Sequence, residues 1–209
     1  TEGLESLSRA RTAAKKPELQ ATADWELRNA ELRRLLREEP RKALAAHLQS
    51  HPLGPHAETA FKFLVKLGPI DATSEPALTR YIDTLIAGKP TATALQALNR
   101  AVYGCLRTRA YELAERAARK LVSVDENNPL YLDTLAEVHH LRSARAQALV
   151  FSDKALAAVE KQKNLADRAE IKAALQKNRA RFERAMGEAP AELLDEEEEL
   201  MPWEQPAPR

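Results

Sequence analysis

The stretch "RAYELAERAARKLVSVDENNPLYLDTLAEVHH", Arg109–His140, decides how this chain is read. It predicts two helices, over 110–124 and 129–142, separated by "DENNP". Asn127 and Asn128 tolerate turn conformations, and Pro129 suits the first turn of the next helix, where its missing N–H costs nothing. The second helix ends in two adjacent histidines, His139 and His140. The stretch is therefore either a chemical site or punctuation between structural repeats.

A shift of 34 residues favours punctuation. It places Leu98 on Leu132, Ala101 on Leu135, Val102 on Ala136, Cys105 on His139, Ala114 on Ala148 and Leu121 on Ala155. All but the Cys/His pair are small or apolar in both copies. A single helix pair cannot bury both of its apolar faces, so neighbouring pairs must stack, and about three are needed for stability. The small residues Ala114, Ala148 and Ala155 permit close helix approach.

Outward from this core, helix signals follow one another with short breaks. Helices are predicted over 17–37, from Pro40 through Leu44 and Leu48, from His56 to Leu67, from an N-cap at Ser74 towards Ile86, and from a cap at Thr91 to 107. "HPLGPH", Gly68–Pro69 and "GKP" are the breakers. Further helices are expected over 145–160 and 164–186. The chain divides into an extension (1–16), a helical region of degenerate repeats or a bundle (17–90), the repeat region with its closing helix (91–187) and an acidic, proline-containing tail (188–209).

Composition agrees with an all-α fold. Hydrophobic residues make up 44% and charged residues 30%, aromatics only 5%, and the β-branched runs of strands are missing. A net charge of +1 gives no global nucleic-acid signature. The lone Cys105 excludes an intramolecular disulfide and a cysteine-based zinc site. No apolar run approaches the ~20 residues of a membrane span, and no signal peptide is visible. The chain opens at Thr1, not Met, which suggests excision from something longer. Its place of action stays open between the cytoplasm and, if a leader was removed, the periplasm or the exterior.

The repeat region resembles the tetratricopeptide repeat family, most clearly over about 95–162. Tyr111 and Ala114 match the aromatic and first alanine of the family's second helix, and "DENNP" matches its inter-repeat linker. Leu135 and Ala136 match the first helix, Ala148 and Ala155 the two alanines of the second, and 164–186 the solvating helix that closes such arrays. The chain departs from the pattern in having Arg109 and Ser143 where glycine joins the two helices, and Leu98 or Leu132 for a large aromatic. The resemblance implies an α-solenoid of stacked antiparallel helix pairs, a non-enzymatic scaffold or adaptor that takes a partner peptide or helix. Its groove would hold Gln96, Asn99, Arg100, Tyr103, Arg107, Asp133, Glu137 and His140. That set does not reproduce the carboxylate clamp of chaperone-binding members.

Other side chains are weaker candidates. His139 reads as packing and His140 as groove-facing, since neighbours on a helix diverge by about 100°. His47, His51 and His56 read as a surface cluster, lacking the HExxH arrangement of a zinc helix. Cys105 reads as a small buried group and Trp25 as packing. No phosphate-cradling glycine loop, metal site or cofactor is expected. The run Arg28, Arg33, Arg34, Arg37, Arg41 and Lys42 reads as a solvated face or as a dock for an acidic partner. In the tail, Leu193, Leu194, Leu200, Met201 and Trp203 flank the acids and read as anchors of a docking segment. A rival reading is an accessory or regulatory domain of a larger enzyme whose catalytic part lies before Thr1. Binding to nucleic acid and insertion into a membrane are not expected.

Overall fold

The structure, a computed structural model, describes residues 9, 12, 17–34, 39–162 and 167–184, with the side chains of 28–34 excepted. Among these residues there are nine helices and no strand. The helices fall into two compact units that divide between Ala87 and Gly88.

The first unit contains α1 (Pro17–Arg34), α2 (Pro40–Ser50), α3 (Ala57–Lys66) and α4 (Glu75–Ala87). Proline opens both α1 and α2, as its fixed φ and missing donor favour. Helix α2 packs on α1, α3 and α4. Leu44, Leu48, Phe63, Leu64, Leu78 and Ile82 are buried in this unit, and the Phe61 and Tyr81 rings lie 5.1 Å apart. Each such side chain contributes roughly 1.5–3 kcal/mol by leaving water. The turn between α2 and α3 needs Gly54, because a Cβ there would lie 3.0 Å from the Ala21 Cβ and 3.1 Å from that of His51.

Capping in this unit departs from the sequence reading. Ser74 does precede α4, but its hydroxyl turns back to Asp71, donating to Oδ1 at 2.8 Å. The Asp71 carboxylate accepts from the Thr73 and Ser74 N–H groups at 3.1 and 2.9 Å, so the acid closes the turn. These bonds, Ser74's first, hold the Asp71 carboxyl below the usual range.

The second unit contains α5 (Ala92–Arg107), α6 (Tyr111–Val124), α7 (Pro129–Leu141), α8 (Arg145–Lys161) and α9 (Arg168–Arg184). Each helix packs on the next, and α5 also packs on α7. Thr91 caps α5 by accepting from the Ala94 N–H at 3.2 Å. Asn128 caps α7 by accepting from Leu130 and Tyr131. The Thr91 cap and the Pro129 start stand where the sequence puts them; the Asn128 cap adds a role to a residue read only as turn-tolerant.

The two turns 34 residues apart are the same object. At the first, the Ala110 N–H reaches the Cys105 carbonyl at 2.8 Å and the Arg109 N–H the Leu106 carbonyl at 3.1 Å. At the second, Ala144 reaches His139 at 2.8 Å and Ser143 reaches His140 at 2.9 Å. This is the six-to-one and five-to-two pairing of a Schellman ending. Arg109 and Ser143 take the left-handed position, at φ 61° and 60°. The residues that stand in for glycine thus adopt a glycine conformation. The burial repeats as well: Leu98 and Leu132, Ala114 and Ala148, and Leu121 and Ala155 are all buried.

Helix α9 finishes the core. Leu175 joins Leu132, Ala155, Ala158 and Val159, and Phe182 joins Ala136 and Ala148.

Candidate functional site

The groove residues expected from the sequence lie on α5 and α7, and a polar seam runs through them. Thr134 Oγ1 shares its proton between Asn99 Oδ1 at 3.1 Å and the Leu130 carbonyl at 2.9 Å. The Tyr103 hydroxyl, 3.5 Å from that oxygen, is left to donate to it. Burial raises the Tyr103 phenol above its ordinary range.

The lower half of the seam is covered by α9. Asn178 Nδ2 donates to Asp133 Oδ2 at 2.8 Å. Arg181 pairs with Glu137, which is only 3% exposed. The Phe182 ring lies 4.8 Å from that of His140, and the Arg181 guanidinium lies 4.9 Å over the Phe182 ring. Asp133 Oδ1 is sealed from solvent and has no hydrogen-bond partner. Burial first, and then the neighbouring Glu137 charge, push the Asp133 carboxyl up to about 7, against the opposing pull of Asn178 and Arg181.

This arrangement corrects the sequence reading of the groove. His140 and Glu137 are buried under α9 and Asp133 is largely covered, so none of the three faces an open channel. Asn99 and Tyr103 are half-buried and tied to α7, while Gln96, Arg100 and Arg107 stay exposed. The positions on α7 follow from repeat register alone. Nothing in that register announces that residues 42 to 45 further on will fill the space.

The histidines also separate. His139 is buried with its ring stacked 5.4 Å from Phe151, and burial lowers its pKa, with Arg119 adding to the effect. That is the packing role expected of it. In the first unit, His47 is not on the surface: it is 0% exposed and meets the edge of Trp25 at 5.1 Å. Trp25 is itself core, as expected, and stacks on His56 at 4.9 Å. His51 Nε2 donates to the buried Asp24 carboxylate at 2.9 Å. Spacing carried the missed signal, since Leu44, His47 and Leu48 fall at i, i+3 and i+4 on one helical face. Among the described residues no group of three or more His, Cys, Asp or Glu is placed to hold a metal ion.

Cys105 is buried, and desolvation pushes its thiol up to about 12, which makes it a packing group and not a nucleophile. Of the basic run, Arg41 is structural: it donates to the carbonyls of Leu67 at 2.6 Å and Pro69 at 2.5 Å, with Asp71 3.6 Å away. Lys42 is exposed and pairs with Glu39 at 3.0 Å. The side chains of Arg28, Arg33 and Arg34, the whole of Arg37, and the tail anchors lie outside the described residues. No described helix is long and apolar enough to cross a membrane. Compared with family models, curated proteins and solved structures, the chain matches none.

Proposed function

We propose that α5–α8 are two tetratricopeptide-like helix pairs, that α9 is their solvating helix, and that the chain is a non-enzymatic scaffold or adaptor. A partner peptide or helix is received at the α5 end of the helix-A face, by Gln96, Arg100 and Arg107. The observation that carries this reading is the Schellman turn repeated at 34 residues, with Arg109 and Ser143 both left-handed. Repeated turn geometry and repeated burial are what stacked pairs of one design require. In such arrays the first helices of the pairs present side chains to ligand. Here α9 has taken the α7 part of that face, and α5 supplies the rest. Arginine and amide side chains can grip a peptide backbone or a carboxylate without reading sequence.

The test is capture of a binding protein by the intact chain, compared with Arg100→Glu/Arg107→Glu. Charge reversal at exposed positions should leave helical circular dichroism unchanged and cut retention by roughly tenfold or more, as losing about 1.4 kcal/mol or more at a binding contact does. Equal retention by both forms would overturn the assignment. Tyr103 is a poor probe, because its hydroxyl helps tie α5 to α7.

A further inference from the structure

We propose that the cleft between α6 and α8 is a binding site for a small apolar monocarboxylate, its carboxylate held by Arg119 and Lys154 beside Phe151. The site shares no residue with the α5 surface, and the proposal does not rest on the partner-binding reading.

The cleft follows from how three helices pack. Helices α6 and α8 both pack on α7 and make little contact with each other. Leu135 of α7 therefore floors a cleft of about 510 Å³, walled by Arg119 and Val122 of α6 and by Phe151 of α8. Val124 and Glu126 line it where α6 ends. Small-molecule sites commonly enclose roughly 300–1,000 Å³. The walls are largely apolar, and the core leaves them unfinished. Val122 and Phe151 pack against the buried cluster of Leu132, Ala155 and Val159 but are only half-buried themselves, and Val124 is exposed. An apolar ligand body gains free energy by covering these surfaces.

Charge selects the head group. Arg119 donates to Glu115 from Nε at 2.9 Å and from Nη2 at 2.6 Å, and Arg142 pairs with the same carboxylate. Two guanidinium charges thus share one carboxylate, which leaves one positive charge in excess. Arg119 Nη1 takes no part in these bonds and keeps its donors for a second planar anion. Lys154 adds another positive charge, its Nζ 5.1 Å from the centre of the Phe151 ring. His139 stacks on that ring at 5.4 Å and is held neutral: burial first, and then Arg119, lower its pKa. The acid that lines the cleft, Glu126, lies two residues beyond the end of α6 and seven beyond Arg119. Positive charge beside Phe151 and apolar walls below it fit a carboxylate carried on an apolar body. A cation of the same shape would meet Arg119 and Lys154, and an alcohol would forgo the charge-assisted bonds.

The test uses the full chain and three eight-carbon probes: octanoate, octanol and octylammonium. Side-chain signals of Val122, Val124, Leu135 and Phe151 are followed by NMR as each probe is added. Octanoate should shift all four saturably, with a Kd of about 1 mM or tighter. Octanol should bind about tenfold more weakly, as loss of one charge-assisted hydrogen bond implies, and octylammonium more weakly still. Arg119→Gln should bring octanoate down to the level of octanol, with Arg142 left to hold Glu115. Lys154→Gln, at an exposed position outside the core, should weaken octanoate several-fold in a chain whose other signals stay put. Three results would each overturn the proposal. One is no saturable shift of these four residues with octanoate. Another is octylammonium binding as tightly as octanoate, which would make the cleft blind to charge. The third is octanoate bound with parental affinity by both variants.

Discussion

Asp133 is the residue whose environment sets the seam's response to pH. Its Oδ2 accepts from Asn178, its Oδ1 is sealed without a partner, and its carboxyl is pushed up to about 7 by burial and by Glu137. The folded pKa lies above the ordinary carboxylate value, so the folded chain holds a proton that the unfolded chain would release. Stability from this site is therefore full below about pH 4 and is lost as pH rises towards 7. Charged and titratable neighbours come from every element beside it: Tyr103 on α5, Glu137 on α7 and Arg181 on α9. Asp133→Asn keeps an acceptor for Asn178 and removes the ionisation. The variant should be more stable than the parent at pH 8 by about 1–3 kcal/mol, allowing for coupling to Glu137. At pH 4 or just below the two should be nearly equal. Urea unfolding at the two pH values decides it, and a difference that does not change with pH would remove Asp133 from the account.

At the scale of elements, the turns are the most informative feature. A non-glycine residue at φ 60° carries a Cβ penalty of about 1–2 kcal/mol, partly offset by the greater unfolded-state entropy of glycine. Ser143→Gly should therefore stabilise the chain by about 0.5–1 kcal/mol. Ala146→Gly, at the second residue of α8, should destabilise by about 0.5–1 kcal/mol. Thermal melts of the two variants moving in the same direction would deny that the turn is strained. Much of this level was legible in the sequence, because capping and turn chemistry are local. Thr91 and Pro129 act where they stand, and Arg109 and Ser143 fall in register at 34. Burial of Cys105, His139 and Trp25 was legible too, from position in an apolar pattern. The covering of α7 was not. Asn178, Arg181 and Phe182 reach Asp133, Glu137 and His140 across 42 to 45 residues, a tertiary pairing with no local signature. Arg41 was hidden for the same reason, since its carbonyl partners lie 26 and 28 residues away.

For the whole molecule, the division at Gly88 makes the second unit a candidate for independent folding, with α9 as the piece that decides it. Leu175 and Phe182 are fully buried, and losing both forfeits roughly 1.5–3 kcal/mol each. Together these losses are about 3–6 kcal/mol, a large share of the entire stability of about 5–15 kcal/mol of an ordinary domain. A chain of residues 88–187 should give one cooperative urea transition with strong helical circular dichroism. A chain of residues 88–162 should retain some helix, lose the cooperative transition and bind a hydrophobic dye, because the cluster of Leu132, Ala155, Ala158 and Val159 is uncovered. Equal cooperativity in both fragments would mean that α9 lies on a core already complete without it. The face of α7 would then be available to a partner once α9 lifted, and the receiving surface would extend from α5 to His140.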